Sequence, residues 1–202
     1  MARRYDSTRR AARAADTRAQ ILDAARDLFT AGGFVATTVA DIAERAGVAA
    51  ATVHGAGTKG ALLLDVVMRE FTGGGAVLDT EDLSAAFADP NVDRALDAAA
   101  VFLTAAHSRS AQLWAVAHTA AAIDTTVARR LEELEQSRRM ELRTAADWFV
   151  AHGLAETGHE GMVADVLAFV TDSTTYQHFV LKCGWSDDEY RSWLRKQLAT
   201  MG

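Results

Sequence analysis

A single proline, Pro90, stands in a chain of 202 residues rich in Ala, Leu, Arg and Glu, where β-branched residues rarely run together. Proline breaks a helix by removing a donor and crowding the preceding turn, while those four residue types lose little on entering one. Such a composition predicts an all-α fold. Punctuation then falls to glycine, at Gly32-Gly33, Gly47, Gly73-Gly74-Gly75, Gly153 and Gly158, because glycine accepts the left-handed conformation that ends a helix. The length suffices for one large or two small domains with a substantial core. No apolar run approaches the roughly 20 residues of a membrane-spanning helix, no apolar segment follows the basic start as a secretory signal requires, and the one cysteine, Cys183, has no partner within the chain. A cytoplasmic protein is expected.

The formal net charge is −6, but it is unevenly spread: residues 1–59 carry +3 and residues 60–202 carry −9. A basic head on an acidic body suits a module that meets nucleic acid, joined to one that does something else. Arg3, Arg4, Arg9, Arg10 and Arg13 crowd into residues 1–16, with almost nothing apolar to fix them in a core. That segment is expected to be a mobile basic arm touching phosphates or a minor groove; the alternative is a solvated tail without a defined partner.

The stretch from Thr37 to Lys59, TTVADIAERAGVAAATVHGAGTK, is the most informative. Thr38 followed three residues later by Asp41 reads as a capping box, which starts a helix and puts an acid in its first turn. Val39, Ile42, Ala43 and Ala46 recur at helical spacing, Gly47 turns the chain, and Ala49 to Val53 begin a second short helix. Two short helices about a glycine turn make a helix-turn-helix, whose second helix would enter a DNA major groove. Upstream, Thr17 with Gln20 is a capping-box candidate for a first helix to Ala31, with Ile21, Leu22, Ala25, Leu28 and Phe29 as its apolar stripe.

These residues resemble a known family. DIAERAGV, then Thr52-Val53, then Lys59 before Leu62, together with ILDAARDLF and GGF upstream, are similar to the DNA-binding domain of the TetR family of bacterial regulators, from about Thr17 to Leu64. The resemblance implies a helix-turn-helix domain over 17–60, a helical ligand-binding and dimerisation domain over 61–202, and a helix at Thr58 onward whose tilt sets the spacing of two reading heads. It implies Thr52 as a phosphate or base contact and Lys59 as a phosphate contact. Thr38, at a helix N-terminus, is a candidate for a phosphate, as is Arg45 for the DNA backbone. The chain departs from the family where His54 replaces the usual Tyr and where His54 to Lys59 runs one residue short, without the usual Phe. The reading helix is therefore expected to be loosely held, and direct readout to rest on Thr52 and His54, since Ala49, Ala50 and Ala51 offer no side-chain hydrogen bonds.

In the body, Asp89-Pro90 is a start signal for a helix to about Ala106, Ser108 and Ser110 mark a break, and a second helix carries Leu113, Trp114 and Ala117. Thr126 to His152 is amphipathic, with Arg138 and Arg139 among its solvated charges. Met162 to Leu181 reads as one long helix, and Ser186 with Glu189 starts the last one. A short helix is expected around Asp82 to Ala88. The last two helices are candidates for a homodimer four-helix bundle. Phe102, Trp114, His118, Trp148, Tyr176 and His178 are candidate walls of a pocket with mixed aromatic and polar character.

No His-x-x-x-His pair, nucleophile elbow, phosphate loop or dinucleotide fingerprint occurs in the sequence. Catalytic residues, metal ligands and cofactors are therefore not expected. The combined expectation is a TetR-like regulator, a repressor released from a palindromic duplex operator by a small-molecule effector. The alternative is a TetR-like scaffold that has lost specific DNA binding and acts through its body on a small molecule or partner.

Overall fold

The computed structural model describes residues 2–74, 87 and 89–201, with side chains from Ala11 onward. Among the described residues every regular element is a helix: α1 (Ala2–Ala36), α2 (Val39–Ala46), α3 (Ala50–Ala56), α4 (Lys59–Thr72), α5 (Val92–Ala121), α6 (Thr125–Ala151), α7 (Glu160–Val170), α8 (Ser173–Tyr176), a π-helical turn (Gln177–Lys182) and α9 (Asp187–Ala199). The all-α expectation holds. Two compact units divide the chain, one of Met1–Val67 with Val116–Ala128, the other of Met68–Ala115 with Arg129–Gly202. The division thus falls inside α4, α5 and α6 instead of at residue 60.

The first unit buries Ile21, Ala25 and Phe29 of α1, Ile42 of α2, Val53 of α3 and Leu62, Leu63, Val66 and Val67 of α4. Phe34 stacks on Phe29 with ring centroids 6.1 Å apart. Residues 2–16 of the segment expected as a mobile arm form the start of α1. Their Ala and Arg residues are strong helix formers with no breaker among them. Thr17 therefore caps nothing: its hydroxyl donates to the Arg13 carbonyl one turn back, as a mid-helix threonine does. Gly33, at φ 72°, interrupts α1 near its end, where a glycine stop was expected.

The second unit is built around Leu96, Phe102, Leu103, Phe149, Leu167, Tyr190 and Leu194. Two sequence expectations fail here. Ser108 and Ser110 do not break α5, because the Ser110 hydroxyl donates to the Ala106 carbonyl and Ser108 to the Asp187 carboxylate, so both are satisfied inside the helix. Pro90 is not the first helical residue either; Asn91 accepts from the Arg94 N–H and the helix begins at Val92. Conversely the long helix expected from Met162 to Leu181 is broken after Val170, where Asp172 accepts from the Thr174 N–H and caps α8. The helix expected near 82–88 lies outside the described residues, apart from Phe87.

Helix ends show one recurring device. The last carbonyls of a helix lack intrahelical donors and carry the negative end of its dipole. In this chain cationic side chains from other elements donate to them: Arg18 to Ala56, Lys59 to Phe34 and also to Thr37 just past the helix, Arg109 to Glu70 and Phe71, and Arg138 to Ala168. Arg138, expected to be solvated, also pairs with Asp172 at 3.1 Å.

Candidate nucleic-acid interface

α2 begins with the expected box: the Asp41 N–H donates to Thr38 Oγ1 at 3.1 Å, and the Thr38 N–H and hydroxyl both donate to Asp41 Oδ2 at 2.8 and 2.7 Å. Those hydrogen bonds hold the Asp41 carboxyl below the usual carboxylate range. Both donors of Thr38 are thereby spent on an anion already present, which leaves that helix start poorly suited to a phosphate. Gly47, at φ 66°, closes α2, its N–H donating to Glu44 while Val48 donates to Ala43. Only glycine adopts that conformation cheaply.

α3 follows at once. Val53 is its one buried residue, and Ala50, Ala51, Thr52, His54 and Gly55 are exposed. The expected looseness has a counterweight that sequence spacing does not reveal. Arg18 donates to the Ala56 carbonyl at 3.1 Å and to Asp65 at 2.7 Å, tying the end of α3 to α1 and α4.

Lys59 is the clearest departure from expectation. Its Nζ donates to the Phe34 and Thr37 carbonyls at 2.9 and 3.0 Å and sits 4.0 Å from the centre of the Phe34 ring. Two of its three donors point into the domain. Arg45 is likewise engaged with the Asp27 carboxylate, which Arg45 and then Arg26 hold below its ordinary range. Arg18, Arg45 and Lys59 are therefore occupied in contacts between elements of the head, and Arg26 pairs with Asp23 and Asp27 along α1. The basic residues of the head outside this set are Arg3, Arg4, Arg9, Arg10 and Arg13; Arg13 is exposed on α1, and the side chains of Arg9 and Arg10 lie outside the described residues. Beside the pair of Arg45 and Asp27 lies an open groove of about 360 Å³ lined also by Gln20, Asp23, Ala24 and Ala46. Thr52 and His54 are both exposed on α3, on either side of the buried Val53.

The expected pocket residues of the body do not converge on one site. His118 is exposed on α5, one turn beyond Trp114. Trp148 stacks on His152 at 4.2 Å and meets Phe87 at 5.1 Å, whereas His178 is exposed, its ring 5.1 Å from Phe179. Phe102 and Tyr176 are buried, and Trp114 is half-buried. Phe102 meets Phe71 at 6.1 Å, Phe71 lies 5.8 Å from the ring of His107, and His107 lies 6.1 Å from Tyr176. His107, the centre of that series, was not among the expected site residues; a histidine on an apolar helix face carries no spacing signal of its own.

Residues 21–66 match the model of the family described as bacterial regulatory proteins, tetR family. Among curated proteins none matches the chain. A solved structure from Pseudomonas aeruginosa PAO1, described as that of a candidate transcriptional regulator, aligns with a TM-score of 0.68 over 90% of this chain and 88% of its own, at 16% identity. At that identity the likeness shows a shared fold. Among the described residues no helix is long and apolar enough to cross a membrane.

Proposed function

We propose, for a chain whose residues 21–66 identify it as a bacterial regulatory protein of the tetR family, the role of a repressor that leaves its operator when a small molecule binds the helical body. The observation that carries this reading is the division of labour in the head. Arg18, Arg45, Lys59 and Thr38 are engaged in building the domain, while α3 presents Thr52 and His54 outward with Val53 alone as its root. Such a helix is shaped to be read against something.

In the major groove, Thr52 and His54 would hydrogen-bond to base edges, and the methyl groups of Ala50 and Ala51 suit contact with thymine methyls. The phosphate attraction comes from the arginines at the start of α1, Arg9, Arg10 and Arg13 among them. A palindromic operator calls for two heads about one duplex turn apart, roughly 34–36 Å. The sequence assigned the dimer contact to the last two helices. The exposed positions of α9, Asp187, Asp188, Glu189, Arg191, Ser192 and Lys196, are polar or charged, and suit water. α7 fits a second copy better: Met162, Val166 and Phe169 are 56%, 41% and 68% exposed along one face beside Gly161. Because effector and operator affinities are reciprocally coupled, an inducer must prefer the conformation that does not bind DNA.

The test is selection of bound duplexes from a random pool, at moderate salt, by the intact protein and by the Thr52→Ala, His54→Ala double variant. A palindromic motif recovered by the intact protein and lost or altered in the variant supports the repressor. Weak binding indifferent to sequence in both removes it and favours a scaffold acting through its body.

A further inference from the structure

The second unit contains buried polar atoms that its helices do not use. Thr104 and His107 lie one turn apart on α5 and are 5% and 2% exposed. Neither Thr104 Oγ1 nor His107 Nδ1 has a hydrogen-bond partner among the described residues. Leaving such atoms unpaired is costly, and two on one helix face call for an explanation.

Their chemistry specifies what would pair with them. His107 Nε2 lies 3.2 Å from the Thr171 carbonyl oxygen. A carbonyl only accepts, so Nε2 carries the hydrogen of the neutral ring and Nδ1 presents a bare lone pair. Burial pushes the imidazole down to about 4, with the Arg138 charge adding to that and the Thr171 carbonyl and Asp172 opposing it, so the ring is neutral at physiological pH. The polar groups nearby are already committed. The Tyr176 hydroxyl donates to Asp187 at 2.6 Å, and the Thr171 hydroxyl donates to the Leu167 carbonyl while accepting from Arg138. Phe71, 5.8 Å from the imidazole, and Phe102 beyond it supply an aromatic wall.

We propose that Thr104 and His107 form the polar end of the effector site, for a small neutral molecule with one hydroxyl on an aromatic or aliphatic body. The ligand hydroxyl donates to Nδ1 and accepts from the Thr104 hydroxyl, and the rest of the molecule packs against Phe71 and Phe102. An anion is rejected, because a carboxylate brings no hydrogen to Nδ1 and pays for its own desolvation. The regulatory consequence rests on the repressor reading above; the site itself does not.

Phenol is a suitable probe, with benzene and benzoate as controls, titrated into the full chain carrying ¹⁵N-labelled histidine. The expected result is a saturable movement of the His107 Nδ1 resonance by phenol alone, with Nε2 remaining the protonated nitrogen. Thr104→Val, of the same shape without the hydroxyl, should weaken phenol about tenfold, the equivalent of one buried hydrogen bond. A resonance indifferent to phenol, as when one trapped water serves both atoms, overturns the proposal, and so does an equal response to benzene or benzoate. Operator affinity measured in the same samples separates the two readings. A responding His107 without release from DNA keeps the site and removes its regulatory role.

Discussion

Lys59→Met removes the ammonium from the head while keeping the stem that packs beside Phe34. The wild-type Nζ makes two charge-assisted hydrogen bonds, to the Phe34 and Thr37 carbonyls, and lies 4.0 Å from the Phe34 ring centre. Hydrogen bonds to charged groups contribute about 1.5–3 kcal/mol each, and an exposed cation over a ring about 0.5–1 kcal/mol. Lys59 is half-buried, so water recovers part of the loss and the lower ends apply, giving about 3.5 kcal/mol. For a chain of this size unfolding as one, that is a fall in melting temperature of about 7–14 °C. The assay pairs calorimetric melting with operator binding across a salt series. A lysine that meets a phosphate would instead leave the melting temperature alone and reduce the salt slope by about one ion. Unchanged melting with a reduced slope would refute the internal role assigned to Lys59. Arg13→Ala is the contrasting variant, for which melting should hold and the slope should fall.

Gly60→Ala would place a Cβ 2.9 Å from Val127 Cγ2 and 3.2 Å from an Asp124 oxygen. Because Asp124 accepts from the Thr126 and Val127 N–H groups, pushing it aside also loosens the start of α6; melting should fall by the equivalent of about 1–3 kcal/mol, and unchanged melting would show that the site yields. His107 titrates in the unfolded chain near its ordinary 6.5 and in the folded chain near 4. The unfolded state therefore binds the proton first on acidification, so this group's stability is full above about pH 7 and falls by about 3 kcal/mol by pH 4. Denaturant titrations at several pH values should show that limb in the wild type and not in His107→Phe; identical profiles would argue that the ring is not buried as described. Phe169→Lys should convert a dimer to a monomer in sedimentation and weaken operator binding, while an unchanged mass would move the subunit contact elsewhere.

What the sequence made legible was local. The boxes at Thr38 with Asp41 and at Ser186 with Glu189, and the left-handed Gly47, are set by residues three or four positions apart, and all form as read. Thr17 with Gln20 has the same spelling and fails, because a cap works only where the preceding residues are not themselves helical, and Arg9 to Asp16 continue the helix. Ser108 and Ser110 failed in the opposite sense, since a serine reads as a breaker until its hydroxyl finds an acceptor. The head's motif was legible, but the roles of its cations were not. Lys59 reaches a carbonyl 25 residues away and Arg18 a carboxylate 47 away, and no periodicity encodes either meeting. Tertiary geometry alone distinguishes a lysine that faces a phosphate from one that faces its own backbone.

The single buried anchor of α3 bears on how this chain can change. With Val53 fixed and Ala50, Ala51, Thr52, His54 and Gly55 all exposed, substitutions at most of these positions touch no packed neighbour, and exposed changes of that kind usually shift stability by no more than about 0.5 kcal/mol. Recognition and foldedness are then nearly independent variables. A lineage, or an engineer, can walk the reading surface through new sequences one residue at a time without first accumulating stability elsewhere.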